Sequence, residues 1–414
     1  MGAGNRGHLA YGAYALRHPE DAKFVAVVEP HEGRRARFAD AHRIPADRQF
    51  RSWEELADRA PLAPALVNAT MDETHRDSTL ALLGAGYEIL LEKPIAPTAE
   101  ECVEIVEAAE RHGRMLGISH VLRYARFFAA VRDQIISGGL GDVVSVDWRE
   151  NLVYWHFAHS YVRGNWGNTS RAGPMILSKC CHDLDFLIWL FGHCDRVASS
   201  GSLTHFVSSA VGPEIPARCT DGCPIESSCP FYAPRFYLQQ LRDNPGGFSI
   251  SALTLDKTEK GVLDALRDGP YGRCVYRCDN DAVDHQVVVL TFASGLTVSL
   301  TMQGSSHVEG RTIRVDGTRA SLLANESRGE IEVHDHRTGL DETIRISPGV
   351  GGHGGGDEGL MRAFVAAVRG DRAALRTSAR EALASHLVAF AAERARTSGE
   401  TVAIPVSAPA LARV

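Results

Sequence analysis

The sequence lacks several features that define other classes of protein. None of its apolar runs approaches the roughly 18 residues of a membrane-spanning helix. Its first residues do not show the charged-then-apolar pattern of a secretory signal. Basic charge is not in excess either, since 44 Lys and Arg residues face 51 Asp and Glu residues, for a net charge of −7. This balance argues against nucleic acid or an anionic membrane as the main partner. We therefore expect a cytoplasmic protein that binds neither.

A chain of 414 residues is long enough for two domains. Its first third alternates short apolar, β-branched runs with segments of helical spacing, which predicts a parallel sheet covered on both faces. We predict an α/β Rossmann-type domain over residues 1–118. The remainder carries alternating runs joined by turns, with helical patterns at its end. Residues 119–414 are therefore predicted to form an α+β domain with an open, largely antiparallel sheet and C-terminal helices.

The first residues fit the G-x-G-x-x-G turn that cradles the pyrophosphate of a dinucleotide. Glu29 follows at the end of the next predicted strand, 22 residues after Gly7. A carboxylate there binds the ribose hydroxyls and repels a 2′-phosphate, so the sequence favours NAD over NADP. Arg34 and Arg35 leave the NADP alternative open.

The glycine turn lacks the strand that normally delivers the chain to it, because only Met1 precedes Gly2. Such a turn needs a strand of about five residues in the middle of the sheet. Without it, the neighbouring strands would face each other across a gap lined by unpaired backbone groups, at about 1–3 kcal/mol for each buried group. We therefore expect that the natural chain begins further upstream.

Two stretches, LLEKPIAPT and CCHDLDFLIWLFG, give the chain a family resemblance. Together with the glycine turn and the strand-rich second half, they resemble the Gfo/Idh/MocA oxidoreductases over essentially the whole chain. The resemblance implies an NAD-dependent oxidoreductase that acts on a sugar, cyclitol or glycoside. It also implies a homodimer or homotetramer formed through the open face of the second sheet. An NAD-dependent glycosidase of the same fold and a non-catalytic dinucleotide-sensing regulator are the alternatives.

Oxidation of a secondary alcohol needs a base for the hydroxyl proton while hydride leaves carbon. The resemblance assigns that role to His182, and assigns stabilisation of the developing alkoxide to Lys93. The family commonly has an aspartate four residues before the histidine, where this chain has Ser178. Serine cannot supply the negative charge that holds an imidazolium. Either Lys179 replaces part of the electrostatics, or one of the acids at 183 and 185 orients the site.

Residues 154–166, YWHFAHSYVRGNW, combine aromatic rings with hydrogen-bonding groups, as a polyol site requires. The alternative is an aromatic hairpin that packs against the other domain. Arg163 offers a partner for a carboxylate, so a uronic acid stays open, and His353 with Asp357 is placed to close over the pocket. The predicted substrate contacts are Arg123, Tyr154, His156, His159, Arg163, Trp166 and Asp185. The predicted cofactor contacts are Gly2, Gly4, Asn5, Arg6, Gly7, Glu29, Thr70, His75, Glu92 and Lys93.

Nine cysteines in a cytoplasmic chain are more typical of thiols or metal ligands than of disulfides. Cys219, Cys223 and Cys229 fall within eleven residues, and Cys274 and Cys278 follow later. Three close cysteines with a distant fourth, Cys278, predict a structural zinc site. Packed thiols and an iron–sulfur cluster are the alternatives.

Overall fold

The computed structural model describes residues 1–405, so the end of the predicted second domain, 406–414, lies outside the described residues. The first part of the chain is an α/β unit of short parallel strands, as predicted. The strands are β1 (Val27–Val28), β2 (Gln49–Phe50), β3 (Ala65–Asn68), β4 (Glu88–Leu91) and β5 (Leu116–Ile118). The helices are a π-helix (Asn5–Gly12), α1 (Ala13–Arg17), α2 (Glu32–His42), α3 (Trp53–Ala57), α4 (His75–Gly84) and α5 (Ala99–Arg111).

Local sequence explains these elements. The β4 residues Ile89, Leu90 and Leu91 are all buried, as expected for a parallel strand covered on both faces. Helix α5 begins after Thr98, whose hydroxyl accepts a hydrogen bond from the Glu101 N–H, the capping arrangement that the sequence predicts.

The first residues of the chain lie between two separate groups of strands. β1 pairs with β2, and β3, β4 and β5 pair in that order. The Met1 ammonium donates to Val67 O (2.7 Å), and the Gly2 N–H donates to Val28 O (2.8 Å). Met1 and Gly2 thus lie between β1 and β3, where the sequence predicts a strand. Next to Met1 lies an apolar groove of about 320 Å³ whose lining includes Phe24, Val28, Leu66, Met361 and Phe364.

The second part of the chain is built on a nine-stranded sheet with the order β13-β12-β11-β10-β6-β9-β8-β7-β14. Its strands are β6 (Val143–Val153), β7 (Cys194–Ser202), β8 (His285–Phe292), β9 (Thr297–Ser306), β10 (Gly310–Gly317), β11 (Ala320–Asn325), β12 (Glu330–Asp335), β13 (Asp341–Arg345) and β14 (Val402–Ala403). β6 and β9 pair in parallel, and the other pairs described are antiparallel. The predicted open, largely antiparallel sheet is therefore confirmed.

One face of this sheet is covered by helices. Alternate residues such as Val288, Leu290, Val298 and Leu300 are buried, and α10 and α15 belong to the same core. The helices of this part are α6 (Arg126–Ile136), α7 (Tyr154–Phe157), a π-helix (Ala158–Arg163), α8 (Thr169–Ala172), α9 (Met175–Ser178), α10 (Cys181–Phe191), α11 (Ala233–Asp243), α12 (Phe248–Leu253), α13 (Glu259–Asp268), α14 (Gly356–Val368) and α15 (Ala379–Ser398).

Residues 203–284, between β7 and β8, form an insert that carries α11, α12 and α13. These helices are short, and turn-rich stretches such as Pro245-Gly246-Gly247 separate them, so no long helical pattern marks them in the sequence. The insert has its own apolar cluster, which includes Tyr237, Ile250, Val262 and Leu266. Among residues 1–405, the structure contains no helix with the length and apolar character required to cross a bilayer.

Candidate active site

The glycine turn at residues 2–7 is closely packed at Gly2 and Gly7 and open at Gly4. Gly2 has a φ of +73°, and a Cβ there would lie 2.2 Å from the Ala69 carbonyl oxygen. A Cβ on Gly7 would lie 1.8 Å from the Gly2 carbonyl oxygen, whereas one on Gly4 would meet nothing within 4 Å. Packing therefore requires Gly2 and Gly7, while Gly4 leaves the backbone open to a ligand such as a pyrophosphate.

The Glu29 carboxylate lies directly after β1, at the position predicted for contact with the ribose. It is 5% exposed and accepts hydrogen bonds from the N–H groups of Ala3 (2.7 Å) and His31 (3.0 Å). The guanidinium of Arg35 donates to the Glu29 carbonyl oxygen (2.6 Å), so backbone carbonyls hold this cation. An acid thus stands beside the turn, as NAD binding requires.

Arg6 and Glu92, predicted as cofactor contacts, bind each other. Arg6 Nε lies 2.5 Å from Glu92 Oε1, and its two Nη atoms each donate to an Asp357 carboxylate oxygen at 2.9 Å. Glu92 also accepts from the hydroxyls of Tyr11 and Ser119. Burial acts to raise the pKa of Glu92, but Arg6 and these hydroxyls hold it below its ordinary value. Arg6 thus connects the glycine turn to Glu92 and, through Asp357, to α14.

Thr70 and His75 connect the loop after β3 to the Glu-Lys-Pro segment after β4. The buried His75 ring places Nδ1 2.9 Å from the Pro94 carbonyl oxygen and Nε2 3.3 Å from that of Thr70. Both ring nitrogens of His75 therefore lie within hydrogen-bond distance of backbone carbonyl oxygens. The structure gives His75 a positioning role in the loop that carries Lys93.

Lys93 follows β4 of the three-stranded sheet, and its charge is near enough to His182, in α10, to lower the pKa of that histidine. The Lys93 ammonium donates to the carbonyl oxygen of Ser178 (2.6 Å), just before α10, which carries His182 in its first turn. The Lys93 N–H donates to Ser119 Oγ (2.9 Å). Ser178 stands where the family commonly has its aspartate, and it binds Lys93 through its backbone.

His182 lies among other imidazoles. It is 5% exposed, and its ring centroid lies 5.6 Å from that of His120 and 5.9 Å from that of His353. His182 Nδ1 is buried and has no hydrogen-bond partner among the described residues. Burial, together with the positive charge of Lys93, holds the pKa of His182 well below its ordinary value. The ring is thus neutral near pH 7 and able to accept a proton.

Lys179 is fixed by a buried charge network on β6 and β10. Its Nζ lies 3.1 Å from Glu150 Oε1, and Glu150 in turn contacts Arg311, which lies 2.9 Å from Asp183 Oδ1. Burial acts to lower the pKa of Lys179, but attraction to Glu150 raises it above its ordinary value. Burial raises the pKa of Glu150 to about 7. Asp183 also accepts from Trp148 Nε1 (2.7 Å), so it faces the core rather than His182.

Two of the predicted substrate residues, His156 and Trp166, contact charged groups of this centre, and a third, Tyr154, is partly exposed. His156 Nδ1 lies 2.9 Å from Glu309 Oε1, and Lys179 Nζ lies 3.7 Å from the same oxygen. Tyr154 is 38% exposed, and Trp166 donates to Asp72 Oδ2 (2.9 Å). These side chains offer the mixture of rings and polar groups that the sequence predicts.

The insert reaches over both the glycine turn and this pocket. Asn5, a predicted cofactor contact, donates through Nδ2 to the Phe248 carbonyl oxygen (2.9 Å). The Phe248 ring lies 4.9 Å from that of His156 and 5.8 Å from that of Trp155. Helix α12 therefore contacts the glycine turn through its backbone and His156 and Trp155 through a ring.

Four predicted substrate residues are placed elsewhere. Arg123 and Asp185 form a bidentate pair with both distances at 2.7 Å, and they are 2% and 1% exposed. His159 Nδ1 lies 2.6 Å from the Tyr237 hydroxyl, and burial lowers the pKa of this histidine to about 3. Arg163 donates to backbone carbonyls of the insert. Each of these polar groups has hydrogen-bond partners inside the protein.

The sulfur atoms of the zinc set predicted from the sequence do not form a close cluster. Among residues 1–405, no three sulfur atoms of Cys219, Cys223, Cys229 and Cys278 lie within 4.8 Å of one another. The Cys278 thiol donates to the Cys274 carbonyl oxygen (3.3 Å).

Several side chains of this region are absent from the sequence prediction: His120, Glu150, Glu309, Arg311 and Asp72. The position of His120 after a predicted strand identifies it as a candidate. It follows β5 at the carboxyl end of the sheet, where ligand sites of α/β domains lie. The charged residues on β6 and β10 carry no comparable signal.

The two domains of one oxidoreductase family match the chain in sequence. Residues 1–120 match the family described as "Oxidoreductase family, NAD-binding Rossmann fold". Residues 132–404 match the family described as "Oxidoreductase family, C-terminal alpha/beta domain". The chain belongs to the Gfo/Idh/MocA oxidoreductases. The resemblance predicted from the Glu-Lys-Pro and His182 motifs is confirmed.

Individual proteins of this kind share a modest fraction of identical residues with the chain. A putative oxidoreductase, YteT, of Bacillus subtilis is 23% identical over 314 residues, which cover 72% of this chain and 70% of that protein. The 1,5-anhydro-D-fructose reductase of Ensifer adhaerens is 33% identical over 165 residues, and the match spans only 39% of this chain and 46% of that enzyme. Levoglucosan dehydrogenase, solved with NADH and levoglucosan, has a TM-score of 0.71 at 17% identity, with 98% of each chain covered. This last likeness establishes the shared fold.

Proposed function

We propose that this protein is an NAD-dependent dehydrogenase that oxidises a secondary alcohol of a sugar, cyclitol or glycoside, or catalyses the reverse reduction. The observation that carries the proposal is the hydrogen bond from Lys93 to the Ser178 carbonyl, which places this ammonium near enough to His182 to lower its pKa, in a chain of an oxidoreductase family. The names of its relatives support the substrate class, since they include an anhydrosugar reductase and inositol dehydrogenases.

The charge states of the two groups suit the two tasks of the reaction. His182 is neutral near pH 7, so its imidazole accepts the hydroxyl proton. The Lys93 ammonium, held by the Ser178 carbonyl, stabilises the developing alkoxide. Lys179 adds a second positive charge behind His156. When bound, nicotinamide supplies the hydride acceptor.

The residues present fit NAD better than NADP. Gly4 is open on one side of the turn, and the buried Glu29 carboxylate stands where the ribose hydroxyls bind. A 2′-phosphate placed there would meet this negative charge, and the Arg35 guanidinium is held by backbone carbonyls. NAD over NADP is therefore the cofactor preference we propose.

A homo-oligomer is proposed from the open face of the nine-stranded sheet. Val287, Val289 and Leu323 are 41%, 39% and 49% exposed on that face, beside charged residues such as Arg149 and Arg314. We propose that a second copy of the chain covers these apolar side chains. Val289→Glu is therefore expected to produce monomers in a sedimentation experiment. The cytoplasmic location stays a prediction from the sequence pattern.

A substrate screen tests the activity. Purified protein is incubated with NAD and a panel of sugars, inositols and glycosides, levoglucosan included, and NADH absorbance is followed. NADH formation with one class supports the proposal. Hydrolysis of a glycoside without net NADH would favour the glycosidase alternative, and NAD binding without turnover of any substrate would favour the regulator.

A further inference from the structure

A proton accepted by His182 needs a route out of the protein. His182 is 5% exposed, and its Nδ1 is buried without a hydrogen-bond partner among the described residues. Within residues 1–405, no carboxylate lies at ion-pair distance from this imidazole. The positive charge of Lys93 also opposes an imidazolium at His182. We therefore expect the proton to move on to a second group.

Two other imidazoles lie beside His182, and each has a carboxylate near it. The ring centroids of His120 and His353 lie 5.6 Å and 5.9 Å from that of His182. His120 Nε2 lies 3.8 Å from Asp185 Oδ1, and His353 Nδ1 lies 3.0 Å from Asp357 Oδ1. At these separations a proton passes between rings directly or through one water molecule. Both rings are thus within reach of a proton on His182.

His120 is a poor acceptor for this proton. Its side chain is fully buried, and the Asp185 carboxylate is already held by Arg123 through two contacts of 2.7 Å. Burial and the positive charge of Arg123 hold the pKa of His120 well below its ordinary value. A proton placed on His120 would therefore meet neither a free carboxylate nor water.

His353 differs from His120 in both exposure and charge. Its side chain is 38% exposed. The Asp357 carboxylate accepts from both Nη atoms of Arg6 at 2.9 Å, and Arg6 also pairs with Glu92, so two carboxylates face one guanidinium. Burial acts to raise the pKa of Asp357, but Arg6 and His353 hold it well below its ordinary value. The excess negative charge of this group compensates an imidazolium at His353.

The backbone holds His353 in this place. Its φ of +51° lies in the left-handed region, within the glycine-rich turn 349–356, where the Gly349 N–H donates to Gly354 O (3.0 Å). Histidine is among the side chains that adopt this conformation most readily, and such backbone strain is common at functional sites. The turn thus places the imidazole beside both Asp357 and His182.

Few other groups compete for the proton. His182 and Asp357 are the titratable side chains that contact the His353 ring among the described residues. The other charged or titratable side chains on the elements around this turn have partners of their own or are exposed: Arg17, Arg123, Tyr124, Arg126, His156 and Glu358. Asp357 therefore sets the charge around His353.

We propose that His353 is a proton-relay residue that carries the proton from His182 to solvent, an inference that rests on the proposed dehydrogenase function. The substrate hydroxyl gives its proton to His182 as the C–H bond breaks and hydride leaves the carbon for the bound nicotinamide. His182 passes a proton to His353 Nε2, while Asp357 holds the Nδ1–H of the same ring. His353 then releases one proton per turnover to water, and both rings return to the neutral form.

Buffer-dependent kinetics of His353→Asn test the relay. Asparagine tolerates a positive φ but cannot carry the proton. At low buffer concentration, kcat should fall about 10-fold with KM unchanged, and added imidazole should restore kcat in proportion to its concentration. The wild type should not respond to imidazole. His334→Asn is the matched control, because His334 forms the same kind of pair with Asp341 (2.6 Å) on β12, and it should behave as the wild type does.

NMR spectra of protein with isotope-labelled histidine, recorded without substrate, give a readout independent of turnover. Neutral His353 should carry its proton on Nδ1, because Asp357 accepts from that nitrogen. A proton on Nε2 instead would overturn the proposal. So would a kcat of His353→Asn that equals that of the wild type, or one that falls without rescue by imidazole.

The same kinetics separate the relay from the function on which it rests. A wild-type protein that forms no NADH from any alcohol would refute the dehydrogenase function and the relay together. An active wild type with an unaffected or unrescued His353→Asn variant would refute the relay alone.

Discussion

The Lys93 ammonium donates a 2.6 Å hydrogen bond to the backbone carbonyl of Ser178, four residues before His182. A carbonyl orients the ammonium without neutralising it, whereas an aspartate at this position would pair with it or with the imidazole. The charge of Lys93 thus acts on a neutral His182. This arrangement favours an anionic alkoxide over a neutral ground state.

Removal of either group should abolish most of the turnover. Lys93→Met and His182→Gln are each expected to lower kcat by about 10²-fold or more, because one stabilises the alkoxide and the other takes the proton. NAD affinity, measured by fluorescence titration, should change little. Lys260→Met, on an exposed face of the insert, is the matched control. Near-full turnover in either active-site variant contradicts the assignment.

Cofactor choice should depend on Glu29. Glu29→Ala is expected to raise KM for NAD and to relax discrimination against NADP, because the carboxylate both binds the ribose and repels a phosphate. Since Glu29 also accepts from the Ala3 N–H, some loss of NAD affinity should remain even in Glu29→Gln. Glu32→Ala, exposed at the start of α2, is the control. A wild-type protein that prefers NADP would refute this interpretation.

The Arg123–Asp185 pair should contribute to stability rather than to substrate binding. Asp185→Ala or Arg123→Ala leaves an uncompensated buried charge, and each is expected to cost about 3–5 kcal/mol in urea unfolding. The double variant Arg123→Met/Asp185→Leu should recover much of that loss. If the single variants instead unfold like the wild type and only raise the KM of the substrate, the two residues contact substrate as the sequence suggests.

These cases show which features a sequence can disclose. The Thr98 cap, the buried β4 run and the Glu-Lys-Pro segment are set by neighbours within a few residues, and each was predictable. Arg123 and Asp185 are 62 residues apart, and Arg163 and Phe231 are 68 residues apart. Whether such a side chain faces a ligand or a distant partner depends on tertiary packing. The sequence therefore identifies a polar residue in a motif dense in functional groups as a candidate. It does not reveal whether that residue binds a ligand or a distant side chain of the protein.

Stability should depend on pH through the Met1 ammonium. Burial lowers its pKa to about 5, against the attraction of Glu29, while in an unfolded chain the group titrates near 8. Between these values the unfolded chain binds more protons, so stability should rise as pH increases from 5 to 8. Thermal unfolding of the 414-residue chain at several pH values measures this slope.

A short strand added in front of Met1 should remove that slope and raise the melting temperature. Five β-branched residues placed there would move the ammonium out of the fold, pair with backbone groups of β1 and β3, and fill the apolar groove of about 320 Å³ beside Met1. We expect Tm to rise by about 4 °C or more, because the added residues would bury apolar surface in this groove. A five-residue Gly-Ser extension is the matched control, since it displaces the ammonium without forming a strand and should remove only the pH slope. If both extensions behave alike, the groove beside Met1 does not accept a strand.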